Sequence, residues 1–188
     1  MNYKRAFVEN GYIHIIIVTY NRKHILTDNI DLLRTAFKNV KTIYPFEIIS
    51  ICVLPDHIHM IINPNDIHCY PQIVSSIKHY FSKNINLSKC RLGIPAQQFD
   101  SNELKTGYKN KREKGIFQRR FYEHTIKSEE ELNNHINYIH YNPVKHKFVD
   151  NVKDWEYSSF HKFVRHNLLD KNWGSTNDIK NIIDMDFE

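Results

Sequence analysis

The sequence predicts an α+β protein with a ferredoxin-like (RRM-like) split βαβ fold: an antiparallel sheet with helices packed on one face and the other face available to a ligand. Its apolar periods run strand, helix, strand, strand, helix, strand, helix. The second and third strands are joined only by a Pro55-Asp56 turn, as in a hairpin. At 188 residues with 41% hydrophobic content, the chain can bury one substantial core.

Tyr12 to Tyr20 is β-branched and aromatic, the composition of a buried strand. Thr27 is placed to cap the helix that follows, in which Ile30, Leu33, Phe37 and Val40 keep helical spacing. Phe46 to Leu54 and His57 to Ile62 form the hairpin, and Pro71 opens a helix carrying Ile73, Val74, Ile77 and Phe81. From Leu87 to Gly115 no period survives, which predicts a long exposed loop punctuated by Gly93, Pro95 and Gly107. Strand character returns from Ile116 to Ile126. Ser128-Glu129-Glu130-Glu131 is a capping box, starting a helix through Leu132, Ile136 and Ile139 that should end near Pro143. Beyond it, Trp155, Tyr157 and Phe160 return onto the core, and the tail from Asp178 carries no signal.

The formal charge of +5 favours a polyanionic partner. Three widely spaced cysteines, Cys52, Cys69 and Cys90, form no C-x-x-C pair, so neither a disulfide framework nor a zinc ribbon is expected. No secretory signal opens the chain, and its apolar stretches are strand-sized, too short to cross a membrane.

The residues with chemistry in them sit in two segments. His57 and His59 are two apart on a strand, so both point to one face and can hold one metal ion together. Tyr138 and Asn142 are four apart on a helix and share a face, at the border of the stripe made by Leu132, Ile136 and Ile139. They can converge on the same ion. Imidazole and amide donors leave coordination positions for phosphate and water, which suits Mg²⁺ or Mn²⁺, with Mn²⁺ better matched to imidazole. For His124 and His135 an ordinary hydrogen-bonded role is expected, and for His14 a place in strand packing. Glu123 could order Arg119 or bind metal.

Three ordered stretches, Val53-Leu54-Pro55-Asp56-His57-Ile58-His59, Phe117 to Ile126 and Tyr138 to His146, resemble the REP-associated tyrosine transposases of the HUH single-tyrosine (IS200-like) superfamily. Trp155-Glu156-Tyr157-Ser158-Ser159-Phe160 is similar to that family's closing W-x-x-S-S segment, and Phe117 stands where the family often has Trp. The resemblance implies a nuclease domain, here residues 1–165 with a tail over 166–188, that cuts and rejoins single-stranded DNA beside hairpins. It implies Tyr138 as the nucleophile forming a 5′-phosphotyrosine, and His57, His59 and Asn142 as ligands of a divalent metal. It also implies a cytoplasmic, nucleoid-associated bacterial protein, working as a monomer or a homodimer. A basic, aromatic-interleaved stretch offers DNA contacts: Lys109, Lys111, Arg112, Lys114, Arg119 and Arg120, with Lys145 after the catalytic helix. Two other readings compete. One is a hairpin-DNA-binding module that no longer cuts, for which the His57, His59 and Tyr138 set would be superfluous. The other is an RNA-binding sheet, for which no RNP1-type pattern is found.

Overall fold

The computed structural model describes residues 7–8, 11–86, 115–174, 178–182, 184–185 and 187. Four strands form one antiparallel sheet: β1 (Tyr12–Val18), β2 (Phe46–Val53), β3 (His57–Pro64) and β4 (Tyr122–Ile126), in the order β2-β3-β1-β4. With α1 (Ile30–Ile43) and α2 (Tyr70–Asn84) connecting them, this is the predicted α+β fold. Two further helices follow, α3 (Glu129–Lys145) and the short α4 (Phe160–Arg165).

Strand alternation divides the protein in two. On β1 and β3, Ile13 pairs with Ile62, Ile15 with Met60 and Ile17 with Ile58, and all six lie in the larger core under α1 and α2. The intervening residues point to the other face. That face is covered by α3, whose Ile136, Tyr138 and Ile139 pack with Cys52, Leu54, Ile61 and Ile126. The face expected to stay open is therefore a second, smaller core with histidines built into it.

Three local expectations change. Thr27 makes no cap: Thr27–Asn29 is a 3₁₀ turn, and α1 starts only at Ile30, with no side chain capping it. The last strand starts at Tyr122, not Ile116, because Phe117 makes only an isolated bridge to Thr19 and packs its ring beside Phe81 in the larger core. The third adjustment is small: the helix ends near Pro143 as expected, but at Lys145, two residues past it, with Pro143 in its last turn. The ending is built just beyond: Lys147 takes a left-handed φ of 60°, its N–H donates to the Val144 carbonyl, and the Phe148 N–H donates to the Pro143 carbonyl. This is a Schellman ending, which satisfies the last carbonyls without glycine.

The capping box forms with one variation. Ser128 accepts from the Glu131 N–H at 3.1 Å, but Glu131 reaches back to the Lys127 N–H at 2.6 Å. The W-x-x-S-S segment closes the sheet edge at β2. The Trp155 indole donates to the Val53 carbonyl at 3.0 Å, and the Ile51 N–H donates to the Ser159 hydroxyl at 2.9 Å. An edge strand covered in this way offers no template for association.

Among the described residues, no helix is long and apolar enough to cross a membrane. Cys52 is fully buried as a small apolar group, and burial pushes its thiol up.

Candidate active site

The polar groups buried in this protein concentrate on the face beneath α3. The register sets them side by side: His14 opposes Ile61, Ile16 opposes His59, and Val18 opposes His57 on β1 and β3. On the outer strands Cys52 faces His59, while His124 faces His14. Glu123 opposes Ile15, so it belongs to the α1 and α2 face and cannot join this site.

His57 and His59 are both buried, with ring centroids 5.0 Å apart and planes at 74°. His57 is held from behind. Its Nδ1 donates to Asp56 Oδ1 at 2.6 Å, and Arg22 donates to Oδ2 of the same carboxylate at 3.2 Å. Arg22 reaches it from a tight turn in which Asn21 and Arg22 both take positive φ, 55° and 48°. Burial opposes ionisation of Asp56, but His57 and then Arg22 outweigh it and hold the carboxyl below its usual range. An ionised Asp56 accepting from Nδ1 leaves the neutral ring's lone pair on Nε2.

Tyr138 and Asn142 both come from α3, and Tyr138 reaches the pair at His59. The Tyr138 ring lies edge-on to His59, with centroids 5.6 Å apart. Both α3 residues are fully buried rather than lying at the helix border, because α3 is covered on both sides. Beneath it is the sheet; above it, Ile179 and Ile182 join the same cluster and the Phe187 ring stands 5.1 Å from Tyr138. Both polar atoms of the Asn142 amide are buried with no hydrogen-bond partner among the described residues. An amide left so costs on the order of 1–3 kcal/mol, so it is an anomaly unless it serves a ligand.

Lys145, two turns along the same helix face, does not stand off as a surface cation. Its Nζ donates to the Tyr138 hydroxyl at 3.2 Å and to the Met185 carbonyl at 3.0 Å.

Against this geometry, the comparisons are specific. A family model described as transposase IS200 like matches residues 7–93. A REP-associated tyrosine transposase of Haemophilus influenzae is 41% identical, the alignment covering 95% of this chain and 96% of that one. This chain belongs to the REP-associated tyrosine transposase family. An Escherichia coli member is 31% identical over 91% of this chain and 89% of its own. A solved REP-associated tyrosine transposase bound to a REP hairpin superposes with a TM-score of 0.73 at 30% identity, covering 93% of this chain and 91% of that structure.

In this member of the family, α3 is tied down at its centre by a buried polar network. Ser50 and His140, 90 residues apart, meet at 3.2 Å, and Ser159 approaches the same Nε2 at 3.0 Å. Burial, with a smaller contribution from His161, pushes the His140 imidazole from its ordinary 6.5 down to about 3. Between those values the unfolded chain binds a proton that the folded one refuses. The stability this group protects is full above 6.5 and falls as pH drops toward 3. We expect a slope of up to ~1.4 kcal/mol per pH unit from this residue, read in denaturant melts between about pH 7 and about pH 5. His140→Gln should flatten that slope; an unchanged slope would refute the assignment.

Other residues near this site take their places from the fold rather than from spacing. Asp56 reads as a turn residue until its contact with His57 is seen. His146, just past α3, stands 4.9 Å from the His57 ring. Arg119 and Arg120 are exposed, and the Lys78 ammonium bonds the carbonyls of Gln118 and Arg119 at 2.6 and 3.0 Å. Arg119 lines a cleft of about 360 Å³ with Lys78, His79 and Lys83 of α2, so it belongs to the face away from the histidine pair. Lys109, Lys111, Arg112 and Lys114 lie outside the described residues.

Proposed function

We propose that this transposase cuts and rejoins single-stranded DNA beside hairpins, with Tyr138 as nucleophile and a divalent ion, Mg²⁺ or Mn²⁺, held by His57, His59 and Asn142. The observation that carries this reading is the buried Asn142 amide, unsatisfied one helical turn from a tyrosine whose ring packs on His59. Two imidazoles and a carboxamide oxygen fit such an ion, and the Asp56 contact leaves His57 Nε2 as its donor atom. When bound, the ion supplies charge to a phosphate oxygen as the transition state forms.

The chain's own groups do the rest. Tyr138 Oη forms a bond to phosphorus while the bond from phosphorus to the 3′ oxygen breaks. The phenolic proton is lost and the leaving oxygen gains one, producing a 5′-phosphotyrosine and a free 3′-OH. The Lys145 ammonium donates to Oη, so it stabilises the negative charge that gathers there as the proton departs. Reversal by another 3′-OH rejoins DNA without ATP, because the phosphotyrosine keeps the bond energy. Tyr138 is buried, so the packing over it, which includes the Phe187 ring, must open before a phosphodiester reaches Oη.

A hairpin partner is supported by the family's solved structure, which is bound to a REP hairpin. Arg119 and Arg120 are the proposed phosphate contacts among the described residues, and Lys145 is reassigned to the nucleophile. The test is a denaturing-gel assay with labelled single-stranded hairpins from DNA flanking the gene, in Mn²⁺ or in EDTA. A Mn²⁺-dependent covalent band is expected. Hairpin binding without any band, across several hairpins and metals, would favour a module that binds and no longer cuts.

Asp56 offers a finer check on the metal. Asp56→Asn removes the charge that orients His57 and should weaken apparent Mn²⁺ affinity about 10- to 100-fold, the usual effect of losing an outer-shell partner. A Mn²⁺ titration of adduct yield measures it, and an unshifted midpoint would count against His57 as a ligand.

A further inference from the structure

We propose that His124, Glu131 and His135 form a second metal site, for a divalent transition ion such as Zn²⁺, with His14 orienting His135 from behind. These four residues come from three elements that the fold brings to one place. His14 on β1 and His124 on β4 are direct partners across the sheet. Glu131 and His135 are one turn apart on α3, so both side chains fall on the same side of that helix.

The ligand atoms of His124, Glu131 and His135 all lie within 4.8 Å of one another. His124 Nε2 is 2.7 Å from Glu131 Oε1, and the His124 and His135 rings stack with centroids 5.3 Å apart and planes at 11°. Tetrahedral Zn²⁺ with bonds of about 2.0–2.1 Å holds its ligands roughly 3.3 Å apart, so small rotations close the set. His124 and Glu131 have the freedom to make them, with side chains 32% and 29% exposed, and that opening also admits the ion.

A helix cap with an ion pair would explain part of this arrangement but not all. The cap uses one Glu131 oxygen, on the Lys127 N–H. It does not account for the buried His135 imidazole within reach of the same carboxylate, or for His14 buried behind it. His135 Nδ1 lies 3.0 Å from His14 Nδ1, and His14 is wholly buried with its Nε2 lacking a hydrogen-bond partner among the described residues. When His135 donates from Nδ1 to His14, its lone pair is on Nε2, the donor a metal needs. Burial, followed by nearby histidines, lowers both rings, His135 to about 4, so at neutral pH they are the uncharged, ligating form. Two imidazoles and one carboxylate are a zinc-type donor set, and the fourth position is left to water.

The site shares no ligand with His57, His59 and Asn142, and it does not depend on the strand-transfer reading. An ion there would pin the edge strand β4 to α3 three residues before Tyr138, holding the nucleophile's helix on the sheet. His14 lies between the two centres, with its ring 5.8 Å from His59 and 4.8 Å from His135.

The test is titration of chelator-stripped, full-length protein with Zn²⁺ in competition with a chromophoric chelator. Folded His57→Ala/His59→Ala protein should keep one tight equivalent and melt at a higher temperature with Zn²⁺ than without it. Glu131→Gln and His124→Ala should each weaken that equivalent about 100-fold, one ligand's share of a zinc site. Glu131→Gln retains an oxygen for the Lys127 N–H, so the helix start survives, and far-UV circular dichroism verifies it. Unchanged stoichiometry and affinity in Glu131→Gln would overturn the site. So would loss of the equivalent in folded His57→Ala/His59→Ala protein.

Discussion

Tyr138→Phe protein is expected to bind single-stranded hairpin DNA almost as tightly as wild type and to form no covalent adduct with it. The substitution removes one oxygen from a ring that is already packed on every side, so the fold has little to lose. Its ring stays against His59 and Phe187, and the hydrogen bond from Lys145 disappears. A bond of that kind contributes roughly 1 kcal/mol net. The chemical cost is of another order: removing a nucleophile that works as part of a unit lowers turnover by ~10⁶, below the floor of a gel assay. The measurement pairs an adduct gel with a binding titration on the same hairpin. Persistent Mn²⁺-dependent adduct in the variant would move the nucleophile elsewhere, with Tyr141 and Tyr122 the next residues to replace. Loss of binding together with adduct would instead show that the ring helps to hold DNA.

His57→Ala and His59→Ala should each lower cleavage by on the order of 10²–10³ and abolish its response to added Mn²⁺. The two variants differ in what else they break. His57→Ala strips Asp56 of its 2.6 Å partner and leaves the carboxylate to Arg22 alone, so a stability loss of about 1–3 kcal/mol should accompany the lost activity. His59 sits at the centre of the ring cluster, against His14, His57 and Tyr138. His59→Gln, which retains more of that volume, separates packing from ligation. Thermal melts beside Mn²⁺ titrations read both effects. If cleavage by the folded His59→Gln protein keeps its full Mn²⁺ response, His59 is not a ligand, and the metal must be sought elsewhere on this face.

Much of the architecture could be read along the chain because it rests on local periods. The largely β-branched run through Ile13 to Val18 specifies a buried strand, and the helical spacing of Ile73, Val74, Ile77 and Phe81 specifies a helix and its apolar side. The capping box at Ser128 located the start of α3. Boundaries that depend on distant partners were harder. The segment around Phe117 has strand composition, yet its neighbours are Thr19 and Phe81, so it joins the core without joining the ladder. Pro143 has every local reason to stop a helix, but the Schellman turn at Lys147 lets α3 run two residues further.

The site divides along the same line. Spacing along one strand and one helix offered His57, His59, Tyr138 and Asn142 as candidates, because side chains two apart on a strand or four apart on a helix share a face whatever surrounds them, and the family resemblance gave them their proposed roles. Which faces then meet is decided by contacts far apart in the chain, and no local pattern encodes those. Only the folded protein places Lys145 on the Tyr138 hydroxyl, buries that tyrosine under Phe187, and brings His14 within 3.0 Å of His135 across 121 residues. Periodicity supplies the proposed donors and the proposed nucleophile, and packing sets their exposure, their hydrogen-bond partners and thus their charge.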